Sequence, residues 1–287
     1  MHLPERVTIV EVGPRDGLQN EAQVVPTALK LQYIEALADS GIGQIEATSF
    51  VSPRAVPQLA DASEVVRGLT RRPGVIYSAL VPNEKGLDRA VEAGIRRIAL
   101  FTAASDEFTM RNIGVTVDES LRAFSAVAAR AQREHLTIRA YVSTAFVCPF
   151  IGEVPVARVL DVTARLFDLG ADEVAISDTI GAAAPTDVES VVGALLAHHP
   201  AHAIALHLHD TFGTALANVV QGLQMGITTF DSSAGGMGGC PYAPGAAGNL
   251  ATEKLLYLLH RMGIQTGIDR EKVMRAAALV KGRAPID

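Results

Sequence analysis

The chain has 287 residues, 48% of them hydrophobic, and a net charge of −6, which together favour a folded protein with a large core. A pI near 5.8 and the lack of a basic cluster argue against nucleic-acid binding. No apolar run reaches the roughly 20 residues that span a bilayer, and the N-terminus has no signal-peptide pattern. Two cysteines, Cys148 and Cys240, fit a reduced, cytoplasmic setting.

Short apolar or β-branched runs alternate with longer amphipathic runs along the chain. The strand-like runs lie at residues 7–12, 44–50, 75–81, 97–102, 137–144, 173–178, 203–209 and 228–232. Helical patterns lie between them at residues 27–40, 84–93, 117–134, 156–169, 186–198 and 215–225. Glycines that follow helical runs, such as Gly41 and Gly94, are typical of helix C-termini. A further helix is predicted at residues 270–280.

Eight strands in β-then-α order predict a (β/α)8 barrel, the TIM barrel, with an extra C-terminal helical segment. An open doubly wound sheet is the alternative. It is disfavoured because no glycine-rich phosphate-binding fingerprint follows the first strand. No linker rich in proline, glycine or serine interrupts the pattern, so residues 1–287 are expected to form a single domain.

His207 and His209 close the seventh strand-like run. Side chains two residues apart on a strand point to the same face, so the two imidazoles should lie side by side. The carboxyl ends of the strands carry the active site in this fold. Two such imidazoles form half of a divalent metal site, although local hydrogen bonds alone could also satisfy them. Polar residues at other strand ends favour the metal site.

Those polar residues come from four other stretches. They are Arg15, Asp16 and Gln19 after the first strand, Glu46 on the second, Asp178 on the sixth, and Cys240 and Asn249 in the glycine-rich loop after the eighth. Ordinary turn chemistry is the alternative for Asp16 and Asn249. A salt bridge to a carboxylate is the alternative for Arg15, because a buried arginine usually needs one.

Three long motifs carry a family resemblance. They are EVGPRDGLQNE at 11–21, HLHDTFG at 207–213 and GGCPYAPGAAGNLAT at 238–252. Together with matches at 48–53 and 178–181, they resemble the 3-hydroxy-3-methylglutaryl-CoA (HMG-CoA) lyase family almost end to end. The resemblance implies a TIM barrel, one Mg²⁺ or Mn²⁺ per chain, and retro-Claisen cleavage of HMG-CoA to acetyl-CoA and acetoacetate. Such cleavage belongs to the breakdown of leucine or related acyl-CoA compounds.

The resemblance also implies roles for individual residues. The metal ligands would be Asp16, His207, His209 and Asn249. Arg15 would face the thioester oxygen and stabilise the enolate, and Cys240 would supply a proton to the enolate carbon. An acyl-CoA substrate is expected, and a homodimer is possible.

Three further residues have less defined roles. Asp178 either accepts the proton of the substrate hydroxyl or pairs with Arg15. Glu46 is expected to orient a ligand or bind substrate. Gln19 matches a polar position of the family motif.

Residues near the fifth strand leave undetermined which acyl group the enzyme accepts. Residues 144–151 (TAFVCPFI) and Thr102 depart from the family pattern and add apolar bulk near the barrel mouth. A lyase for a longer 3-hydroxy-3-alkylglutaryl-CoA, such as an isohexenyl analogue, is therefore one alternative. A condensing synthase of the same superfamily and a non-catalytic acyl-CoA or metal-binding scaffold are less favoured, because the Cys240 loop and every expected polar group are present.

Overall fold

The protein is described by a computed structural model that covers residues 3–239 and 248–281. Its strands are β1 Thr8–Glu11, β2 Gln44–Ser49, β3 Ile76–Leu80, β4 Arg97–Ala103, β5 Thr137–Ser143, β6 Val147–Cys148, β7 Gly152–Glu153, β8 Glu173–Asp178, β9 Ile204–Leu208 and β10 Thr229–Ser232. Eight of them pair in parallel and close into a barrel in the order β1, β2, β3, β4, β5, β8, β9, β10. Strands β6 and β7 form a separate antiparallel hairpin, which the sequence patterns do not predict. The predicted TIM barrel is confirmed.

Helices connect the strands around the outside of the barrel. They are α1 Thr27–Asp39, α2 Ala62–Gly68, α3 Glu84–Ala93, α4 Asp106–Asn112, α5 Val117–Arg133, α6 Val156–Asp168, α7 Pro185–Leu196, α8 Ala215–Gln224, α9 Thr252–Arg261 and α10 Arg270–Val280. The C-terminal helix predicted at 270–280 is confirmed as α10, which packs against α1. None of the helices in the described ranges is long and apolar enough to cross a membrane.

Helix α5 illustrates how the sequence produces these elements. It begins with a capping box, in which the Thr116 hydroxyl accepts from the amide of Glu119 and the Glu119 carboxylate accepts from the amide of Thr116. Leu121, Phe124 and Val127 recur at helical spacing and are buried against the barrel. Burying one such side chain contributes about 1.5–3 kcal/mol to stability.

The barrel interior contains a buried cluster of charges. On β5, Arg139, Tyr141 and Ser143 alternate with apolar Ala140 and Val142, so the polar side chains share the inner face. The guanidinium of Arg139 spans the barrel and binds both carboxylate oxygens of Asp231 at 2.6 and 2.9 Å. Its Nε also donates to Glu173 at 2.5 Å.

Candidate active site

A π-helical turn at Gly13–Gly17 places Arg15 and Asp16 at the carboxyl end of β1. The amides of Arg15 and Asp16 donate to the carbonyl of Val12 at 3.1 and 2.7 Å, which tightens the turn. Gly13 is required here, because a Cβ at this position would lie 2.4 Å from the Tyr33 hydroxyl oxygen. The local sequence thus sets where both charged side chains leave the backbone.

Carboxylates hold Arg15 on two sides. Glu46 Oε2 lies 2.8 Å from both Nε and Nη2 of Arg15, and it also accepts from the Tyr141 hydroxyl at 3.0 Å. Asp16 Oδ1 lies 2.5 Å from Nη1. Burial works against the charge on Arg15, but the two carboxylates raise its pKa well above the ordinary value. The Arg15 salt bridge considered from the sequence is thus formed with Glu46, not with Asp178.

Asp16, His207 and His209 form a cluster that could hold a metal ion, since their ligand atoms all lie within 4.8 Å of one another. The Nε2 atoms of the two histidines are 3.3 Å apart. Burial and the neighbouring His207 lower the pKa of His209 to about 4, so its imidazole is neutral at neutral pH. Burial tends to raise the pKa of Asp16, but Arg15 and the histidines lower it to about 2. The cluster therefore offers a carboxylate and a neutral nitrogen to a cation.

Asp231 orients His207 from inside the barrel. Its Oδ2 lies 3.1 Å from His207 Nδ1, and its other contact is the guanidinium of Arg139. Burial tends to raise the pKa of Asp231, but Arg139 and His207 outweigh burial and lower it. An Nδ1–H that donates to this carboxylate leaves the lone pair on Nε2, which faces the cluster. Sequence reasoning missed Asp231 and Arg139, although the alternation of polar residues along β5 was a usable signal.

Asn249 completes the cluster. Its Nδ2 donates to Asp16 Oδ2 at 2.7 Å and to the Met237 carbonyl at 3.1 Å. Its Oδ1 is buried and has no hydrogen-bond partner among the described residues. One carboxylate, one amide oxygen and two imidazoles are suitable ligands for Mg²⁺ or Mn²⁺, and the unpartnered Oδ1 is an oxygen still free to bind. The residues present therefore fit a divalent cation.

The remaining predicted site residues are placed differently. Gln19 lines a large cavity at the carboxyl end of the barrel, as do Arg15 and Asp16. Asp178 is absent from the described residues that line it. Its carboxylate instead accepts from the amides of Ala182 and Ala183, both at 3.0 Å, and burial raises its pKa to about 6. Cys240 lies outside the described residues.

The residues just before Cys240 contact the loop that follows β1. Gly239 lines the cavity, and its carbonyl accepts from Asn20 Nδ2 at 2.7 Å. Gly238 has a φ of +92°, and a Cβ there would lie 2.7 Å from Asn249 Nδ2. Glycine at this position therefore allows the backbone to pass directly beside the ligand cluster.

The cluster opens into a cavity of about 590 Å³ at the carboxyl end of the barrel. One wall is polar and includes Arg15 and the two histidines. Apolar side chains form another part of the lining: Leu80 on β3, Phe101 on β4, Phe108 on α4, Ala123 and Phe124 on α5, and Val51 and Ile113 in the loops after β2 and α4. Residues 144–151 are absent from the described lining, but Phe150 packs behind the lining residue Phe108, with ring centroids 6.4 Å apart.

Glu11 ties together the loops that carry the site. Its Oε1 accepts from the amides of Gly13 and Ala234 at 2.8 and 2.9 Å, and its Oε2 accepts from the Thr252 hydroxyl at 2.7 Å. These contacts join the turn after β1, the turn after β10 and the first residue of α9. Burial raises the pKa of Glu11 to about 7, although the hydrogen bonds oppose the shift.

We expect Glu11 to make the protein less stable as pH rises from 4.5 to 7. The native carboxyl binds its proton more tightly than the unfolded one, whose pKa is near 4.5, so the stabilisation present at low pH is lost through this window. The loss amounts to about 3 kcal/mol. Glu11→Gln keeps the geometry, because its amide oxygen accepts from both backbone amides and its Nε2 donates to Thr252, but it does not titrate.

Urea unfolding of the wild type and Glu11→Gln at pH 5 and pH 8, both in EDTA, measures this effect. The wild type should lose stability relative to Glu11→Gln by up to about 3 kcal/mol between the two pH values. Glu64→Gln, which alters an exposed carboxylate on α2, serves as the control. Parallel pH profiles for the wild type and Glu11→Gln would show that Glu11 does not titrate in this range.

A closed parallel barrel with a carboxylate and two histidines clustered at its carboxyl mouth, beside a large cavity, defines a class of TIM-barrel enzymes with a divalent-metal site. The HMGL-like family model matches residues 6–280, and the chain belongs to this family. The family resemblance predicted from the motifs is therefore confirmed.

Several relatives are similar over nearly their whole length. Hydroxymethylglutaryl-CoA lyase YngG of Bacillus subtilis is 50% identical over 98% of this chain and 94% of its own length. The mitochondrial hydroxymethylglutaryl-CoA lyase of Homo sapiens is 46% identical over 97% of this chain and 86% of its own. These relatives are carbon–carbon lyases.

Solved structures agree with these sequence matches. The B. subtilis HMG-CoA lyase superposes with a TM-score of 0.95 at 51% identity, covering 97% of this chain and 93% of that one. An HMG-CoA lyase from A. baumannii, in complex with coenzyme A and 3-methylmalate, has a TM-score of 0.92 at 37% identity and covers 96% and 91% of the two chains.

Proposed function

We propose that residues 1–287 form a single catalytic domain that cleaves 3-hydroxy-3-methylglutaryl-CoA to acetyl-CoA and acetoacetate. The observation that carries the proposal is the cluster of Asp16, His207 and His209 next to Arg15 in one cavity. Similar chains named hydroxymethylglutaryl-CoA lyase, one of them in complex with coenzyme A, support an acyl-CoA substrate. The homodimer stays a prediction from the family resemblance, and the cytoplasmic location stays a prediction from the cysteine content and the N-terminal sequence; the mechanism uses neither.

Asp16, His207, His209 and Asn249 would hold one Mg²⁺ or Mn²⁺. When bound, such a cation supplies positive charge that favours the ionised form of the substrate's tertiary hydroxyl. Asp231 keeps the His207 ring in the orientation that this role requires.

Cleavage needs a base for the hydroxyl proton. Asp16 and Glu119 are the carboxylates among the described lining residues, and Glu119 is occupied in the capping box of α5. Asp16 and the imidazoles of His207 and His209 are therefore the lining groups that could accept this proton. Asp178, considered for this role from the sequence, is instead bound to the backbone of its own loop.

The bond between C2 and C3 then breaks. The oxygen electrons form the ketone of acetoacetate, and the C2–C3 pair becomes the enolate of the thioester. Arg15, fixed by Glu46, stabilises the negative charge on the thioester oxygen. Cys240, which follows the cavity-lining Gly239, gives its thiol proton to C2 and completes acetyl-CoA.

A longer 3-hydroxy-3-alkylglutaryl-CoA is the second candidate substrate. The apolar wall formed by Leu80, Phe101 and Phe124 is the observation that favours it, because an alkyl branch would bury surface there. Comparing kcat/KM for HMG-CoA and its isohexenyl analogue decides between the two. We expect HMG-CoA to be preferred, and a higher value for the analogue would reverse the assignment.

A coupled assay of acetyl-CoA release from HMG-CoA tests the proposed function. We expect turnover with Mg²⁺ or Mn²⁺, its loss in EDTA, and recovery when the cation is restored. Cys240→Ala should lower kcat by about two orders of magnitude or more. Turnover that survives EDTA would refute the metal-dependent mechanism, and full activity of Cys240→Ala would refute the assigned proton donor.

Calorimetric titration with Mn²⁺ tests the ligand set separately from turnover. His209→Ala should weaken cation binding by at least about tenfold, because it removes a ligand. His202→Ala removes an exposed histidine outside the cluster and should bind like the wild type. Equal affinities for all three proteins would exclude His209 as a ligand.

A further inference from the structure

Ser177 is a buried hydroxyl in the cavity that the mechanism above does not use. The residue is 2% exposed and lines the cavity, and its Oγ has no hydrogen-bond partner among the described residues. A buried hydroxyl without a partner is unfavourable, and folded proteins rarely contain one. The position therefore points to a partner that arrives with the ligand.

The layers of the barrel explain why nearby side chains do not satisfy this hydroxyl. Ala175, two residues earlier on β8, lies in a mostly apolar interior layer with Ala205 and Leu80. Side chains two apart on a strand share a face, so Ser177 lies one level nearer the mouth. Its register partner on β9 is His207. The hydroxyl thus borders the cavity beside the histidine cluster, with apolar groups below it.

The positions of the other groups limit which substrate oxygen can reach Ser177. This step rests on the proposed lyase function. Arg15 follows β1, is held by Glu46 on β2 and takes the thioester end of the acyl group. The carbon that bears the hydroxyl lies at the cluster of Asp16 and the two histidines. The free carboxylate is the remaining oxygen group of the substrate. Strand β8, which carries Ser177, is separated from β1 by β9 and β10, so Ser177 lies on the side of the cluster away from Arg15.

We propose that Ser177 Oγ donates a hydrogen bond to the free carboxylate of the substrate and so selects acyl groups that carry one. A serine hydroxyl has one proton to donate, and a carboxylate accepts hydrogen bonds with the added strength of its charge. The contact would fix the end of the acyl group that leaves as acetoacetate. Ser177 is thereby a substrate-binding residue that determines specificity, with no part in proton transfer.

Ser177→Ala tests the proposal. We expect the KM for HMG-CoA to rise by about tenfold to a hundredfold, the range for a lost hydrogen bond to a charged group. Inhibition by 3-hydroxy-3-methylbutyryl-CoA, which has the same hydroxyl and thioester but no free carboxylate, should be unchanged. The melting temperature should not fall, because the hydroxyl has no described protein partner to lose.

Thr163→Val is the matched control. Thr163 on α6 also has a buried hydroxyl without a partner among the described residues, but it is outside the cavity lining. This variant should keep the wild-type KM. An unchanged KM for Ser177→Ala, in a wild type that turns over HMG-CoA, overturns the inference while the lyase function stands. Equal losses for HMG-CoA and the analogue without the carboxylate would also overturn it, because the contact would then not be to the carboxylate. Absence of turnover by the wild type would instead count against the proposed function.

Discussion

Replacing Arg15 with methionine should lower kcat for HMG-CoA cleavage by about two to three orders of magnitude, the usual effect of removing one preorganised group that stabilises an oxyanion. Three contacts fix the guanidinium before substrate binds: two with Glu46 Oε2 at 2.8 Å and one with Asp16 at 2.5 Å. A charge held in this way needs little reorganisation when the enolate forms. The loss should therefore fall mainly on kcat.

Cation binding distinguishes this catalytic role from a structural one. Arg15 is positive and touches Asp16, so its removal should leave Mn²⁺ affinity unchanged or tighten it. If Arg15 only supports the fold of the cluster, kcat and Mn²⁺ affinity should fall together. Calorimetry on Arg15→Met, beside steady-state kinetics, separates the two roles.

Arg15→Lys is the sharper variant. It keeps a positive charge but loses the planar set of donors that binds Glu46 and Asp16 at once. We expect kcat to lie between those of the wild type and Arg15→Met. A lysine variant with full activity would show that charge alone is sufficient at this position and that the Glu46 contact is dispensable.

The sequence predicts the parts of the site that depend on local periodicity. His207 and His209 are adjacent because of strand alternation, and Asp16 reaches them because carboxyl ends of parallel strands meet at one mouth. The pattern at residues 270–280 predicts helix α10 with its observed bounds, since its buried residues recur at helical spacing. These features need only the backbone geometry of each element and the order of elements in the barrel.

Other features depend on where side chains end after packing. Asp178 is the last residue of β8, a position typical of a catalytic carboxylate in this fold. Its oxygens instead accept hydrogen bonds from the amides of Ala182 and Ala183. Arg139 and Asp231 are 92 residues apart in the sequence and meet only because the barrel closes. Local patterns contain no information on contacts of that separation.

The contact between Arg139 and Asp231 leads to the largest expected effect on stability. Arg139→Met should lower the free energy of unfolding by about 3–5 kcal/mol, because it removes one partner of a buried ion pair and leaves the other charge uncompensated. Both side chains are at most 2% exposed, so water cannot replace the guanidinium. A typical domain has only about 5–15 kcal/mol in total, so the variant should be close to its unfolding threshold.

Two variants show that the effect comes from burial. Arg67→Met breaks the exposed pair between Arg67 and Glu92, which is expected to contribute at most about 1 kcal/mol. The double variant Arg139→Met with Asp231→Leu removes both charges of this pair and should recover part of the lost stability in urea unfolding with EDTA, while Glu173 keeps its contact with Arg97.

The same double variant should bind the cation more weakly than Arg139→Met alone. Asp231 holds His207 Nδ1 at 3.1 Å, and loss of such a contact typically weakens metal affinity by about 10- to 100-fold. Stability and Mn²⁺ affinity should therefore respond in opposite directions when Asp231→Leu is added to Arg139→Met. If stability recovers and Mn²⁺ affinity does not fall, Asp231 serves only to neutralise Arg139. If stability does not recover, the stability lost in Arg139→Met has a cause other than an uncompensated charge on Asp231.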